Sequence, residues 1–118
     1  MTKITVEEIA EVCHEANRAY CKALGDRVLP PWGQLSLGQQ RTTIRGVEDA
    51  LADPDQSPRE SHVNWMQEKL RDGWTYGATT NDEKKTHICL VPYDNLPPTQ
   101  RAKDVLFLSI VRSLQSLT

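Results

Sequence analysis

Residues 57–77 read SPRESHVNWMQEKLRDGWTYG, and this stretch contains the clearest signals for the fold. The Ser57 side chain can accept a hydrogen bond from the backbone of Glu60, and the Glu60 carboxylate can accept one in return. The proline after Ser57 suits the first helical position, where no amide donor is needed. This pattern predicts a helix that begins after Ser57 and ends at about Asp72, where Gly73 closes it.

The same kind of start signal occurs twice earlier in the chain. Capping boxes at Thr5–Glu8 and Ser36–Gln39, each followed by apolar residues at helical spacing, predict helices over about 6–24 and 37–52. The intervening residues 26–35 contain two consecutive prolines, which prevent a helix. This part is expected to be an ordered loop that a tryptophan anchors in the core.

The pattern changes after the helix that follows Ser57. Alternating residues at 74–76 and 87–91, separated by the polar run 79–85, predict two short strands in a small antiparallel hairpin. A last helix is apolar around much of its circumference over 105–117, so it should be either central or an oligomer contact. The predicted fold is mainly α with a small antiparallel β-hairpin, a single compact α+β domain of about four helices.

The composition limits the classes of partner. With 118 residues, 14 Lys and Arg against 16 Asp and Glu, and a net charge of -2, the chain lacks the cationic surplus that bulk nucleic acid binding needs. No apolar run is long enough for a membrane span, and the N-terminal residues turn acidic where a signal peptide would be apolar. We expect a cytoplasmic protein, in the host cell cytoplasm if the chain is phage-encoded.

The sequence favours neither a metal site nor catalysis. Its three cysteines have no spacing typical of zinc ligands and are expected to be reduced thiols, and no cofactor is predicted. GxSxG, HExxH, phosphate-loop and dinucleotide-binding glycine motifs are all missing. Cys13 and His14 are adjacent, but neighbouring helical residues point about 100° apart, so they do not form a nucleophile and base pair. The protein is predicted not to be an enzyme.

One face of the predicted helix after Ser57 is a candidate ligand site. His62, Trp65 and Lys69 lie at positions i, i+3 and i+7, close in sequence to Trp74 and Tyr76. An indole offers a stacking surface for a base, and an ammonium group can bind a phosphate. The alternative is structural: Trp65 would be a core anchor, His62 would be hydrogen-bonded internally, and the two later aromatic side chains would belong to the hairpin core.

The order of motifs in the second half resembles the RyR domain, the repeat first named in ryanodine receptors. The residues that carry this resemblance are His62-x-x-Trp65-x-x-x-Lys69-x-x-x-Gly73-Trp74-x-Tyr76-Gly77, Lys85-x-His87-x-x-Leu90-Val91-Pro92-Tyr93, and Lys103-Asp104. The resemblance divides the single domain into an N-terminal helical leader, residues 1–56, and an RyR-like repeat, residues 57–117. The leader is similar to that of small stand-alone RyR-domain proteins of phages and prophages.

The resemblance also implies a function. In the receptors, an adenine nucleotide can occupy a pocket in which a tryptophan stacks on it, and that tryptophan corresponds to Trp65. The other ligand-binding candidates are His62, Lys69, Trp74, Tyr76, Lys85, His87 and Tyr93. A pocket shared between repeats would here require a homodimer or a higher homo-oligomer. The implied function is capture of a nucleotide-derived signalling molecule, as a phage anti-defence sponge.

Two other functions fit the same residues. One is a structural or adaptor module of phage or prophage origin, which docks a protein through its helices and has no small-molecule ligand. The other is a hydrolase of such nucleotides with His62 or His87 as an acid or base near pH 6.5. The identity of the ligand and the defence pathway are not encoded in any motif of the sequence.

Overall fold

The computed structural model describes residues 3–118, so Met1 and Thr2 of the predicted leader lie outside the described residues. The four helices are α1 (Val6–Leu24), α2 (Leu37–Ala52), α3 (Pro58–Arg71) and α4 (Pro98–Leu114). The two strands are β1 (Thr75–Tyr76) and β2 (Thr86–His87), and short 3₁₀ turns lie at Trp32–Gln34, Tyr93–Asn95 and Gln115–Leu117. This architecture confirms the mainly helical α+β fold with one small sheet.

Local capping interactions explain where the first three helices begin. Thr5, Ser36 and Ser57 each accept a hydrogen bond from the backbone N–H three residues later, at 3.1, 3.2 and 3.1 Å. In each case the Glu or Gln at that later position accepts a bond from the backbone N–H of the capping residue. Gly25, with φ 72°, ends α1 in the left-handed conformation that glycine adopts without strain.

Helix α4 is central to the packing. It contacts α1, α2 and α3, and its Leu108 and Val111 side chains are 7% and 0% exposed. Trp32 is 7% exposed and anchors the proline-containing loop in the core, as expected from the sequence. The buried core side chains are Ile9, Ala10, Cys13, Trp32, Leu35, Val47, Ala50, Leu108 and Val111.

Polar contacts also join the N-terminal helices to the C-terminal helix. The Tyr20 hydroxyl donates a 2.7 Å hydrogen bond to a backbone carbonyl near the start of α4. Asp26 accepts bonds from Gln100 at 2.9 Å and from Lys103 at 3.2 Å. Arg112 donates two 2.8 Å bonds to carbonyl groups at the C-terminal end of α2. The predicted leader and the predicted repeat therefore share one packed structure.

The prediction of an antiparallel hairpin is wrong, because β1 and β2 pair in parallel. Thr75 lies opposite Thr86, and Tyr76 lies opposite His87. The Thr75 N–H donates to the carbonyl of Lys85 at 2.9 Å, next to this register. Trp74 precedes the first strand, and the second strand ends at His87 instead of continuing to residue 91.

The path of the connecting loop explains the parallel direction. Asn81 and Thr86 exchange backbone hydrogen bonds of 2.9 and 3.1 Å as an antiparallel bridge, so the chain has reversed once before Asn81 and reverses again before β2. Lys85, with φ 53°, lies in the second reversal. Gly77 permits the close approach of the strands, since a Cβ there would lie 2.6 Å from the Cβ of Thr86.

Candidate functional site

A cavity of about 310 Å³ lies between the helices and the segment that contains the sheet. Its lining includes Asn17 of α1, Arg27 of the following loop, Gln39 of α2, Trp65 of α3 and Asp104 of α4. Small-molecule sites commonly enclose roughly 300 to 1,000 Å³, so this cavity is at the lower end of that range. One chain supplies walls from both its leader and its repeat.

Five rings form a continuous row along one side of this cavity, and we call them the aromatic row. Tyr93 lies 6.0 Å from His62, and His62 stacks on Trp65 at 5.5 Å with an interplanar angle of 26°. The rings of Trp65 and His87 are nearly perpendicular with their centres 4.9 Å apart, and the centre of His87 lies 6.2 Å from that of Trp74. All of these rings except Tyr93 line the cavity.

A cation lies over the ring at each end of the aromatic row. The Arg59 guanidinium is 5.2 Å from the centre of Tyr93, and it also binds Asp94 at 2.6 Å. The Lys69 ammonium is 4.3 Å from the centre of Trp74 and forms no salt bridge within residues 3–118. Burial lowers the pKa of Lys69. An anionic group in the cavity would stabilise this ammonium.

The helical spacing of α3 explains why three of these side chains meet. His62, Trp65 and Lys69 follow one another on one face, as the sequence predicts. His62 is 3% exposed, and its Nε2 donates a 2.8 Å hydrogen bond to the carbonyl of Val91. Trp65 is partly exposed and is not in the core cluster. The internal role considered for His62 is therefore present, whereas Trp65 is a wall of the cavity.

His87 is a neutral imidazole at physiological pH. Its Nδ1 accepts a 3.0 Å hydrogen bond from the backbone N–H of Cys89, which leaves the proton on Nε2. Burial, together with the smaller effects of the positive charges of Lys69, Arg27 and Lys103, lowers the pKa of His87 to about 4, although Asp82 opposes the shift. His87 therefore offers the cavity an uncharged ring with an N–H donor.

Asp104 is a mostly buried carboxyl group on the α4 side of the cavity. Its side chain is 18% exposed, and its Oδ2 lies 3.9 Å from Nδ1 of His62. Burial raises the pKa of Asp104 to about 7, although Lys103 opposes this shift, and burial lowers the pKa of His62 below its ordinary value of 6.5. As the pH rises, His62 loses its proton before Asp104 does, so the two are not an ion pair.

Two pairs of oppositely charged groups on the cavity wall form salt bridges. Arg27 binds Asp82 at 2.5 Å, and Arg45 lies 3.5 Å from Glu68. Lys103, the other lysine of the lining, binds Asp26, which lies outside the lining. Among the described residues, Lys69 is therefore the cation of the lining that forms no salt bridge.

A family model for the RyR domain matches residues 49–117, which is more than half of the chain. The chain belongs to the RyR domain family. The matched region begins inside α2, eight residues before the boundary predicted from the sequence, and it contains the whole aromatic row and Asp104. The cavity walls from α1, from the loop that contains Trp32 and from most of α2 precede the matched residues of this RyR domain.

The structure separates the eight ligand-binding candidates into three groups. His62, Trp65, Lys69, Trp74 and His87 line the cavity. Tyr93 belongs to the aromatic row but does not line the cavity. Tyr76 is 57% exposed, and the Lys85 ammonium donates a 2.9 Å bond to the carbonyl of Asp72, so neither faces the cavity.

Sequence reasoning gave no role to several side chains of the lining. Asp104 occurs in the Lys103-Asp104 pair of the family resemblance, which was the one available signal for it. Asn17 and Arg27 come from the leader, and no spacing relates them to the repeat. Their place in the cavity follows from how α1 packs on α4.

Residues 3–118 contain neither a cluster of metal-ligating side chains nor a membrane-spanning helix. No group of three or more His, Cys, Asp and Glu side chains is placed to hold a metal ion. None of the described helices combines the length and apolar character needed to cross a bilayer. Cys13 is a buried free thiol whose pKa burial raises to about 12, so it is protonated at neutral pH.

Proposed function

We propose that this RyR domain is a non-enzymatic binding protein that captures a nucleotide-derived signalling molecule in the cavity beside Trp65. The observation that carries the proposal is the position of the Lys69 ammonium, which lies in the cavity 4.3 Å from the centre of the Trp74 ring. This ammonium has no salt-bridge partner among the described residues. A phosphate would satisfy this charge. A base would stack on the partly exposed indole of Trp65.

The expected energies suit such a ligand. Stacking of one base on an aromatic side chain contributes about 1 to 3 kcal/mol, as measured by alanine substitution. A hydrogen bond to a charged group contributes about 1.5 to 3 kcal/mol. These two terms would act on one base and on one phosphate group of the ligand, at Trp65 and at Lys69.

The biological part of the proposal is a sponge encoded by a phage. It is supported by the resemblance of the leader to small stand-alone RyR-domain proteins of phages. A sponge acts by mass action, so it must be abundant and must bind the host signal more tightly than the defence effector does. It needs no turnover of the ligand.

Substitutions of the stacking residue and of the phosphate-binding cation test the binding site. We expect Trp65→Ala and Lys69→Gln each to weaken binding of ADP-ribose by about tenfold to a hundredfold, because each removes one of the two terms above. Isothermal titration calorimetry would measure the affinities, and circular dichroism would show whether the variants fold. A series of cyclic dinucleotides would be titrated in parallel.

Matched controls lie outside the cavity. Tyr76→Ala removes an aromatic ring that is 57% exposed, and Lys3→Gln removes an exposed ammonium group. Both should bind like the unmodified protein. Equal affinity of the folded Trp65→Ala variant, or no binding of any nucleotide to the unmodified protein, would reject the proposed site.

The natural ligand requires a second experiment. The protein would be purified from cells that produce nucleotide signals and denatured by heat, and mass spectrometry would identify any released small molecule. Release of an intact nucleotide supports the sponge. A hydrolysed product supports the nucleotide hydrolase instead, and a copurified protein without any nucleotide supports the adaptor module.

A further inference from the structure

We propose that Asp104 and His62 form a pair of hydrogen-bond acceptors that recognises the exocyclic amino group of a nucleobase stacked beside Trp65. This inference rests on the proposed function, because it assigns one end of the same cavity to the base. It specifies the ligand further: a nucleotide whose base carries an amino group.

The hydrogen bonding of His62 makes this side chain an acceptor toward Asp104. Its Nε2 donates to the carbonyl of Val91 at 2.8 Å, so its Nδ1 carries a lone pair in the neutral ring. The Nδ1 atom lies 3.9 Å from Oδ2 of Asp104, and this distance is too long for a direct hydrogen bond. Two acceptors thus face each other, and a donor placed between them would bind both.

No described protein group supplies that donor. The Asp104 carboxyl makes no hydrogen bond with residues 3–118, and the titratable groups that face it or interact with its charge are His62 on α3, Cys89 after β2 and Lys103 on α4. The Lys103 ammonium binds Asp26 at 3.2 Å, and burial raises the pKa of the Cys89 thiol. His14 of α1 lines the same cavity but bonds to the carbonyl of Pro30 at 2.7 Å.

The separation of the two ends fits a nucleotide. His62 and Lys69 are seven residues apart on α3, which corresponds to about 10 Å along the helix axis. Trp65 lies between them on the same face. A base stacked on Trp65 would place its amino group toward Asp104 and its sugar and phosphate toward Lys69, so the acceptor pair and the cation would bind opposite ends of one molecule.

A change of one group on the base tests the acceptor pair directly. Adenine has an amino group where hypoxanthine has a carbonyl oxygen, and that oxygen would be a third acceptor next to two others. A site that hydrogen-bonds an N–H group strongly rejects an analogue that lacks it, because its buried polar groups then stay unpaired. The probes are ADP-ribose and inosine diphosphate ribose, which differ in this group of the base and in the adjacent ring nitrogen N1, an acceptor in adenine and an N–H donor in hypoxanthine.

We expect the unmodified protein to bind ADP-ribose at least tenfold more tightly than inosine diphosphate ribose. Asp104→Asn should remove most of this preference, because the amide presents an N–H donor beside its oxygen. Asp55→Asn is the matched control, since Asp55 lies on an exposed turn outside the cavity and its substitution should change neither affinity.

The pH dependence provides a second readout. The acceptor pair needs the ionised form of Asp104, whose pKa is about 7. The affinity for ADP-ribose should therefore rise about tenfold between pH 6 and pH 8, and this rise should be lost in Asp104→Asn. The two esterified phosphates of the probe keep their charge over this range.

The outcomes separate this inference from the proposed function. If both probes bind equally and binding depends on Trp65, the acceptor pair is refuted and the nucleotide site stands. An affinity for ADP-ribose that falls with increasing pH in the unmodified protein but not in Asp104→Asn also refutes it, since the protonated carboxyl would then be the binding form. If neither probe binds, this inference and the proposed function both fail.

Discussion

At the scale of single residues, Asp104 shows how the site affects stability. The fold buries this carboxyl and raises its pKa from 3.8 to about 7. The unfolded chain therefore ionises Asp104 at a lower pH than the folded chain does. The favourable contribution of the protonated carboxyl is complete below pH 3.8, decreases as the pH rises, and is lost above about pH 7.

We expect Asp104→Asn to stabilise the protein at pH 8 by roughly 1 to 3 kcal/mol, because the amide has no ionisation cost on burial. The difference from the unmodified protein should shrink as the pH falls from 7 and should be smallest near pH 4. Urea denaturation at several pH values measures it. A stability difference that stays constant from pH 4 to pH 8 would contradict this assignment.

His87 acts in the opposite direction. Its pKa is lowered to about 4, so its stabilising contribution is present above the unfolded value of 6.5 and is lost as the pH falls through 4. The contributions of Asp104 and His87 therefore oppose each other between pH 4 and pH 6.5. In the Asp104→Asn variant the His87 contribution is no longer opposed. The stability of this variant should therefore fall more steeply with decreasing pH than the stability of the unmodified protein.

At the scale of elements, helices were predictable because their signals are local. The capping boxes at Thr5, Ser36 and Ser57 are each contained within four residues, and all three helices begin where they indicate. The face of α3 was predictable for the same reason, since His62, Trp65 and Lys69 are fixed by helical spacing alone.

The direction of the small sheet was not predictable in this way. Alternation between 74 and 91 indicates extended chain but contains no information about pairing direction. The parallel register depends on two reversals of the loop, one of them at Lys85 with φ 53°. A lysine in the sequence does not indicate a positive φ, because residues with a Cβ seldom adopt that backbone conformation.

Gly77 gives a test of this sheet. Gly77→Ala should destabilise the protein by about 1 to 3 kcal/mol, because the new methyl group would lie 2.6 Å from Thr86 and would force β2 to move. Gly33→Ala is the matched control, since a Cβ there meets nothing within 4 Å. Urea denaturation of both variants measures the effect, and equal stabilities would contradict the parallel register.

At the scale of the whole molecule, the leader supplies most of the core. Among the described residues, seven of the nine side chains in the buried core cluster precede residue 57, and the other two, Leu108 and Val111, come from the repeat. Arg112 of α4 also donates to two carbonyls at the end of α2. The region that resembles an RyR repeat by sequence therefore depends on residues 3–56 for its packing.

A fragment of residues 57–118 should consequently not fold alone. Without the leader, Leu108 and Val111 would be exposed to water and the remaining apolar surface would be too small for a stable core. Circular dichroism should show no cooperative thermal transition for the fragment and one transition for the full chain. A cooperative transition of the fragment would show that the repeat is an independent domain.

The cavity could not be predicted at this scale. Asn17, Arg27 and Asp104 are distant in sequence, and they meet because α1 packs on α4. The resemblance to paired repeats implied that a second copy would complete the pocket. In the structure, residues of the leader form part of the cavity wall, and assembly into a homodimer or a higher homo-oligomer stays a prediction.

The positions of the three tryptophans have a spectroscopic consequence. Trp32 is enclosed in the core, whereas Trp65 and Trp74 line the cavity. The intrinsic fluorescence of the protein therefore combines one sheltered emitter with two that a dissolved quencher such as acrylamide can reach. A molecule that enters the cavity would shield the second kind only, so the protein carries its own optical probe of occupancy without any attached dye.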